Sequence, residues 1–282
     1  MKFKTFYKIY YKHRLFKANF IQKIYIILCL PFNYLLNIIL LERKKNLDDL
    51  SIKNPELFKK NLNLLFENFN SDKGEFFINQ YQKPIKRIKE KINGHNYHEF
   101  YESYFNEFKN RKIDILEIGA FKGNATASFY FYFKNANIIS GDIFPDLFRY
   151  KSQRVKNFFL DNSKERELTN KLINKNNKFD IIIEDAGHYL KDQIISLFML
   201  FRILKSGGIF VIEELDFPDV RRDMNILKEK PTLREIFKCI ERKENFNSKY
   251  INEADKVYFL NNYKDIKIFK GKFNEIAFVK KK

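Results

Sequence analysis

Acidic residues stand at the ends of five successive apolar runs in the second half of the chain. Each run has the length of a β-strand, and together they cover residues 113–118, 137–140, 155–160, 180–183 and 209–212. In an open sheet of parallel strands, ligands bind outside the carboxyl ends of the strands. Carboxylates at five consecutive strand ends therefore predict one shared site. These acids are Glu117, Asp142, Asp161, Glu184 with Asp185, and Glu213 with Glu214.

The first run leads into a turn bracketed by Gly119 and Gly123, where backbone can approach a ligand closely. The three-glycine spacing of dinucleotide-binding proteins is missing, and so is the phosphate-binding pattern GxxxxGK[ST]. Asp142 ends the next strand, where the ribose hydroxyls of a nucleoside ligand would lie. Asp161 ends the third, near the adenine amino group. A tight turn that binds no ligand explains the glycine pair equally well when it is taken alone.

The last two strand ends predict a cation site. Neighbouring strands lie about 4.8 Å apart, so Asp185, Glu213 and Glu214 can converge on one hard cation. Carboxylates with one nearby histidine suit Mg²⁺ better than Zn²⁺. His188 is then the candidate base for a hydroxyl nucleophile. The alternatives are structural: Asp185 caps the following helix, His188 enters that helix without chemistry, and the two glutamates begin an exposed loop.

Residues 112–214 resemble the class I S-adenosylmethionine-dependent methyltransferases. The stretch 117–123 is similar to the first motif of that class, with Asp142 at its ribose-binding position and Asp161 at its adenine-binding position. A narrower resemblance, over about residues 71–214, is to the metal-dependent sugar O-methyltransferases of the macrocin and mycinamicin type, in the family of cephalosporin-hydroxylase-like and rhamnosyl O-methyltransferase proteins. It rests on Ser71-Asp72-Lys73-Gly74, the Tyr/His-rich stretch 97–101, Leu116-Glu117-Ile118-Gly119 and Glu184-Asp185-Ala186-Gly187-His188.

This resemblance implies S-adenosylmethionine as methyl donor, Mg²⁺ as metal and a sugar hydroxyl as acceptor. It implies Asp185, Glu213 and Glu214 as metal ligands and His188 as the base. The cofactor would be contacted by Asp72, Lys73, Gly74, Glu117, Gly119, Gly123, Asp142, Asp161 and Asp185, with residues 71–74 closing over the methyl donor. A plain turn is the alternative for that segment. The chain departs from the family at Glu214, where Asp is usual, and at residues 186–187, where Gly-Ser is usual.

The alternation of strands and helices predicts an α/β, Rossmann-like methyltransferase fold, mostly parallel and covered by helices on both faces. An apolar stripe from Leu190 to Leu204 predicts a helix that is closed by Ser206-Gly207-Gly208. The runs 266–269 and 276–279 predict a C-terminal antiparallel hairpin. We expect three regions: an N-terminal extension over 1–45, a helical cap over 46–108 and the methyltransferase domain over 109–282.

The chain of 282 residues carries a net charge of +18 and is 17% aromatic. Its apolar and aromatic content excludes a disordered protein, and its two cysteines exclude a disulfide scaffold or a multi-cysteine zinc module. The charge excess fits nucleic acid, an anionic membrane or an acidic substrate. Compositional drift towards lysine explains it equally well.

The N-terminus is basic and then apolar. An uncharged run over residues 24–41, interrupted by Pro31, Asn33 and Asn37, lies between lysine-rich flanks. Eighteen residues reach roughly 27 Å as a helix, the lower limit for a bilayer span. Two basic flanks favour a re-entrant or surface-lying element on the cytoplasmic face, and hence a cytoplasmic enzyme in peripheral contact with the membrane. A helical hairpin buried against the protein is the alternative.

Together these features predict an O-methyltransferase of sugar hydroxyls in cell-surface glycan or glycoside biosynthesis, with a sugar or glycan as its partner. The alternatives are methylation of a non-sugar small molecule, an RNA methyltransferase and an inactive membrane-associated binding protein. Nucleic acid is not expected, because no RNA-binding module is appended and the Asn/Asp-Pro-Pro-aromatic turn of base methylation is missing. His95 and His98 are left without a role, and His13 is assigned to the basic leader.

Overall fold

The computed structural model describes residues 2–12, 15, 18–40, 43–79 and 90–282, so His13, Leu41 and Glu42 of the predicted extension lie outside the described residues. The first part of the chain is mainly helical, with two short strand pairings. Its elements are α1 (Phe3–Tyr10), α2 (Phe20–Leu40), β1 (Lys45–Asn46), α3 (Leu47–Lys53), α4 (Leu62–Phe69), β2 (Phe76–Ile78), β3 (Lys91–Asn93) and α5 (His98–Phe105).

Strands and helices alternate through most of the remaining chain. These elements are β4 (Asp114–Ile118), α6 (Asn124–Tyr132), β5 (Asn137–Asp142), β6 (Tyr150–Lys151), β7 (Val155–Phe159), α7 (Glu165–Lys171), β8 (Phe179–Glu184), α8 (Leu190–Leu200), β9 (Leu204–Ile212), α9 (Phe217–Val220), α10 (Leu233–Glu241), α11 (Glu253–Asn262), β10 (Tyr263–Lys270) and β11 (Glu275–Lys281).

Seven of these strands form one sheet in the order β10-β11-β9-β8-β4-β5-β7. The pairings from β9 to β7 are parallel, whereas β11 is antiparallel to both of its neighbours. The predicted mostly parallel sheet and its C-terminal hairpin are therefore confirmed. From β4 the chain first proceeds to β5 and β7 and then returns to β8 on the other side. Such a reversal opens a crevice at the carboxyl ends of the two central strands.

The sequence predicts that the helix before β9 continues to Leu204, and this prediction is wrong. Helix α8 stops at Leu200, and Ser206-Gly207-Gly208 lies inside β9. Leu204 already pairs with Phe179 of β8, and Ile209 pairs with Ile181. Four residues of β9, 205–208, therefore lie opposite a single residue of β8, and the extra residues bulge out as a glycine-rich turn. The pattern SGG is typical of a helix end as well as of a bulge, so the sequence alone does not distinguish them.

Each face of the sheet has its own hydrophobic core. On one face α8, α10 and α11 cover the apolar side chains of β8 and β9. On the other face α4, α5 and α6 pack together with aromatic contacts. The Tyr101 ring of α5 lies 5.6 Å from Phe129 and 5.7 Å from Phe278, measured between ring centroids. Helices α4 and α5 thus share a core with the sheet, and the division into three regions stays a prediction.

The N-terminal run forms one continuous helix, α2, that passes through Pro31. Leu30 packs with Phe6 and Tyr10 of α1. Most of its other large apolar side chains are exposed, and Ile21 and Leu28 are each more than 70% exposed. The run therefore does not form a buried helical hairpin, because it is one helix with mostly exposed apolar side chains. Within the described ranges, no helix combines the length and apolar character needed to cross a bilayer.

Replacing Gly119 by alanine tests the packing between β4 and β8. Gly119 has φ +94°, and an added Cβ would lie 1.9 Å from the Asp185 carbonyl oxygen. Gly207 has φ +72°, but an added Cβ there would meet open space. Gly207→Ala should therefore lower the unfolding free energy by roughly 1 kcal/mol, from backbone strain alone. Gly119→Ala should lower it several times more, as measured by urea unfolding, and equal losses would contradict this packing.

Candidate functional site

A cavity of about 870 Å³ opens at the carboxyl ends of the parallel strands. That volume is in the usual range for a site of a nucleoside-sized ligand, roughly 300–1,000 Å³. The loops after β4, β5, β7, β8 and β9 all contribute to it, as does the segment before β2. Of the predicted site residues, those that line it are Asp72, Lys73, Glu117, Gly119, Asp142, Asp161, Asp185, His188 and Glu214.

Three predicted residues face protein instead of the cavity. An added Cβ on Gly123 would lie 2.4 Å from the Phe148 ring, and one on Gly74 would lie 3.0 Å from Phe66 Cβ. Glu213 is only 1% exposed and lies behind the cavity wall. The requirement for glycine at residues 74 and 123 is thus explained by close packing within the protein.

Asp142, at the end of β5, holds the two loops that frame the cavity. Its carboxylate oxygens accept hydrogen bonds from the Phe121 amide at 2.8 Å and the Phe144 amide at 2.6 Å. Burial raises the pKa of Asp142. Asp161 accepts from Ser163 and forms an ion pair with Lys164 at 3.0 Å, which keep its pKa low despite partial burial. Both carboxylates therefore lie at the cavity where the sequence predicts the ribose and adenine contacts.

Glu117, at the end of β4, is buried at the base of the cavity. Its Oε2 accepts a short hydrogen bond from the Thr126 hydroxyl of α6. Burial raises the pKa of Glu117 to about 7. The Glu117 carboxyl therefore changes its charge near pH 7, and a bound cation would favour the ionised form.

Lys73 extends into the group of acids after β8 and β9. Its Nζ lies 2.7 Å from Glu213 Oε2 and donates a short hydrogen bond to Asp185 Oδ2. Burial alone would lower the pKa of Lys73, but Asp185 and Glu213 raise it well above its usual value. The predicted closure of residues 71–74 over a methyl donor stays a prediction. The position of the Lys73 ammonium instead links that segment to the acids.

The two glutamates after β9, Glu213 and Glu214, make their contacts in different directions. Glu213 faces inwards to Lys73 and accepts a short hydrogen bond from the Tyr101 hydroxyl. Glu214 faces the cavity, where its Oε1 lies 3.2 Å from His95 Nε2. Burial raises the pKa of both glutamates, with Glu213 near 8. The predicted trio of Asp185, Glu213 and Glu214 is thus brought close together, but its members do not face one common space.

A different trio faces a common space. Asp185, His188 and Glu214 each offer one ligand atom, and these atoms lie within 4.8 Å of one another. His188 Nε2 is 3.7 Å from Asp185 Oδ1, and His188 Nδ1 is 3.6 Å from Glu214 Oε2. Both Nδ1 of His188 and Oε2 of Glu214 are buried without a hydrogen-bond partner. The unpaired oxygen of Glu214 beside Asp185 fits a divalent cation, which would satisfy it, and the unpaired Nδ1 of His188 lies next to that position.

The backbone at two of these residues is strained. His188 has φ +54° and Glu214 has φ +45°. Side-chain-bearing residues rarely adopt such angles, and they cluster at functional sites where the surrounding structure enforces them. The turns that carry His188 and Glu214 both direct their side chains at the same space. The strain therefore favours a functional role for both residues over a histidine that merely enters a helix and a glutamate in an exposed loop.

Burial lowers the pKa of His188 to about 3, with Lys73 adding to the effect. The imidazole is therefore neutral at physiological pH and retains a nitrogen lone pair that can accept a proton. An exposed histidine has a pKa near 6.5. Burial therefore favours the neutral imidazole of His188. The same burial makes His188 a weaker base as long as no ligand is bound beside it.

Three contributors to the site were not assigned from the sequence. Tyr101 belongs to the Tyr/His-rich stretch 97–101 and His95 lies two residues before it, and composition was the only available signal for either residue. Ile9 of α1 also lines the cavity. Helix α1 is held there by Asp146, which accepts hydrogen bonds from the Lys2 amide at 2.7 Å and the Thr5 hydroxyl at 3.1 Å. No local pattern indicates such a long-range contact.

The strand order, the crevice and the acids at the strand ends are those of a class I methyltransferase fold. Among solved structures, the chain is similar to MycE methyltransferase from the mycinamycin biosynthetic pathway, in complex with Mg and SAH. The TM-score is 0.58 at 18% identity, over 79% of this chain and 55% of that chain. At this identity the likeness establishes the fold, with its antiparallel C-terminal hairpin. No protein-family model matches the chain.

Curated relatives of the chain include two O-methyltransferases. The chain is 29% identical over 128 residues to 8-demethyl-8-alpha-L-rhamnosyl tetracenomycin-C 2'-O-methyltransferase of Streptomyces olivaceus, which covers 43% of this chain and 33% of that protein. It is 28% identical over 121 residues to demethylmacrocin O-methyltransferase of Streptomyces fradiae, covering 41% and 30%. The matched part thus spans about a third of the length of these relatives.

Glu184 provides a test of the electrostatics at the site. It is fully buried at the end of β8, and its Oε1 accepts from Asn162 Nδ2 at 3.1 Å. Burial, with Asp192, raises its pKa to about 8, so the folded state loses stability as pH rises from the unfolded pKa through about 8. Glu184→Gln removes this penalty. In metal-free buffer, its melting temperature should exceed that of the wild type progressively more between pH 5 and pH 9.

Glu241→Gln, at an exposed position of α10, is the matched control. Its melting temperature should follow that of the wild type at a constant offset over the same range. A gap between Glu184→Gln and wild type that does not change with pH would show that Glu184 is ionised throughout.

Proposed function

We propose that the protein is an S-adenosylmethionine-dependent O-methyltransferase that acts on a sugar hydroxyl. The observation that carries the proposal is the convergence of Asp185, His188 and Glu214 at one end of a nucleoside-sized cavity on a class I methyltransferase fold. Both curated relatives named above are O-methyltransferases, and the name of the first specifies a rhamnosyl compound, which supports a sugar-linked acceptor.

The cofactor would occupy the cavity between the loops after β4, β5 and β7. Asp142 and Asp161 would accept hydrogen bonds from the ribose and adenine ends, since carboxylates accept from hydroxyl and amino groups. Asp72 and Glu117 would provide negative charge beside the sulfonium and the amino group of the methionine part. The rim is formed in part by Phe121 and Phe144, whose amides are fixed by Asp142.

Asp185 and Glu214 would hold the metal through oxygen ligands, which suit magnesium. A bound Mg²⁺ would supply Lewis acidity that lowers the pKa of the acceptor hydroxyl. His188 would accept the hydroxyl proton at Nδ1, which has no hydrogen-bond partner. The oxygen would then bond to the methyl carbon as the carbon–sulfur bond of the donor breaks and S-adenosylhomocysteine leaves. The Phe217 ring lies edge-on to His188 at a centroid distance of 5.2 Å and restricts the imidazole orientation. Glu213 belongs to the predicted ligand set but contacts Lys73.

Removing the proposed base should slow methyl transfer without loss of cofactor binding. His188→Ala should lower kcat by about 100-fold or more, because general-base catalysis contributes roughly that much. The measurement is transfer of labelled methyl groups to glycans, glycosides and lipid-linked sugars in Mg²⁺, with S-adenosylhomocysteine affinity measured in parallel. Chelation of the metal by EDTA should stop the wild-type reaction.

His98→Ala is the matched control, because His98 is a histidine that does not line the cavity. Its kcat should stay close to that of the wild type. Undiminished turnover in EDTA would eliminate the metal from the mechanism, and an unchanged kcat in His188→Ala would eliminate the base. Methyl incorporation into RNA but not into any sugar would replace the proposed acceptor.

We also propose that α2 lies on an anionic membrane surface, which would bring the enzyme to glycans assembled there. The support is the exposed apolar side of this helix and the lysines before and after it. Apolar side chains enter the headgroup boundary while the lysines contact acidic lipids, and this combination is typical of surface-lying helices.

Leu28→Glu/Ile39→Glu tests this contact, since both side chains are more than 70% exposed on α2. Wild-type protein should sediment with vesicles of phosphatidylcholine and phosphatidylglycerol, and the double variant should stay in the supernatant. Ile226→Glu/Leu227→Glu, on an equally exposed apolar pair elsewhere, is the matched control and should still sediment. Loss of a dimer in the double variant, without any vesicle binding by the wild type, would replace the membrane by a second copy.

A further inference from the structure

The buried ammonium of Lys73 divides the acids of the site into two groups. Lys73 is 1% exposed and belongs to the turn before β2, not to the sheet. Its Nζ contacts Asp185 and Glu213, the residues that follow β8 and β9. A lysine is almost never buried unless it is paired, so this position requires these carboxylates.

Glu213 has no carboxylate oxygen directed at the cavity. Its Oε1 lies 2.6 Å from Lys73 Nζ and accepts from the Tyr101 hydroxyl, and its Oε2 lies 2.7 Å from the same Nζ. Glu214 differs, because its side chain is also more than nine-tenths buried but Oε2 has no hydrogen-bond partner and points towards His188. Asp185 joins the two groups, with Oδ2 on Lys73 and Oδ1 facing His188.

We propose that Lys73 is a positioning residue that keeps Glu213 away from the metal, so that one divalent cation binds between Asp185 and Glu214 beside His188. This inference rests on the proposed function only for the presence of the cation. It differs from the sequence-based assignment, in which both glutamates are ligands.

The charges of the cluster agree with a single cation. Asp185, Glu213 and Glu214 carry three negative charges when ionised, and Lys73 carries one positive charge. The remainder of two negative charges is neutralised by one divalent ion. Without Lys73, one buried carboxylate would have no cationic partner, which is strongly destabilising.

The segment that carries Lys73 is fixed by its backbone. The Lys73 carbonyl accepts a hydrogen bond from the Tyr97 amide at 2.9 Å. Gly94 packs so closely against the turn that an added Cβ would lie 2.2 Å from the Gly74 carbonyl oxygen. The Lys73 side chain therefore enters the cluster from a fixed point, as its positioning role requires.

Glutamine variants of the two glutamates distinguish a ligand from a residue held by Lys73. Metal-free protein is titrated with MnCl₂ or MgCl₂ by calorimetry, without cofactor or acceptor. Wild type should bind one ion per chain. Glu214→Gln should weaken the affinity by about 100-fold or more, and Glu213→Gln by no more than about tenfold, the lower limit typical of residues behind the ligands. Equal losses in the two variants, or two ions per wild-type chain, would overturn the proposal.

Lys73→Met tests the counter-ion itself. Its metal-free form should melt at a lower temperature than the wild type, and added Mg²⁺ should raise its melting temperature by more than it raises that of the wild type. The exposed Lys238→Met is the control and should respond to Mg²⁺ as the wild type does. An equal response in Lys73→Met and wild type would overturn the counter-ion role. If Lys73→Met does not fold, the glutamine pair decides the question.

These outcomes are separable from those of the proposed function. A wild-type chain that binds no divalent cation would overturn both this inference and the metal-assisted step. One-ion binding with the expected difference between the glutamine variants supports the inference even if no sugar is methylated.

Discussion

Burial of several carboxylates at one edge of a parallel sheet is the constraint on which the site depends. Glu117, Glu184, Glu213 and Glu214 are each less than 5% exposed. Anions so far from water are unfavourable unless they are protonated, hydrogen-bonded or paired with a cation. Lys73 supplies the buried positive charge, and Tyr101 and Thr126 donate hydrogen bonds to the carboxylates. The pKa values of Glu184 and Glu213 are still raised, because the contacts that each carboxylate makes only partly offset its burial.

This constraint explains why the helices before the sheet are part of the site. The acids come from the strand ends, whereas Lys73, His95 and Tyr101 come from the described segments 71–79 and 90–101, which precede the sheet in the chain. The aromatic contacts of Tyr101 with Phe129 and Phe278 hold α5 against the sheet, and the hydroxyl of the same residue reaches Glu213. Tyr101 thus packs in the hydrophobic core with its ring and donates a hydrogen bond to a buried carboxylate with its hydroxyl.

The strands and their acidic ends could be predicted because both signals are local. A short apolar run followed by a carboxylate is visible in the sequence, and parallel topology then brings the ends together. Which way each side chain faces could not be predicted. Glu213 and Glu214 are adjacent, and only the tertiary partners Lys73 and His95 assign one inwards and the other to the cavity. Ser206-Gly207-Gly208 has a local pattern that fits two structures, and pairing with β8 selects the bulge.

The attachment of α1 beside the cavity changes the meaning of the N-terminal extension. Ile9 forms part of the cavity wall, and Asp146, on the loop after β5, binds the first turn of α1. Helix α1 of the extension therefore forms part of the cavity wall through Ile9. A shortened chain without α1 would lose this contact, so its affinity for a ligand in the cavity would not represent that of the full sequence.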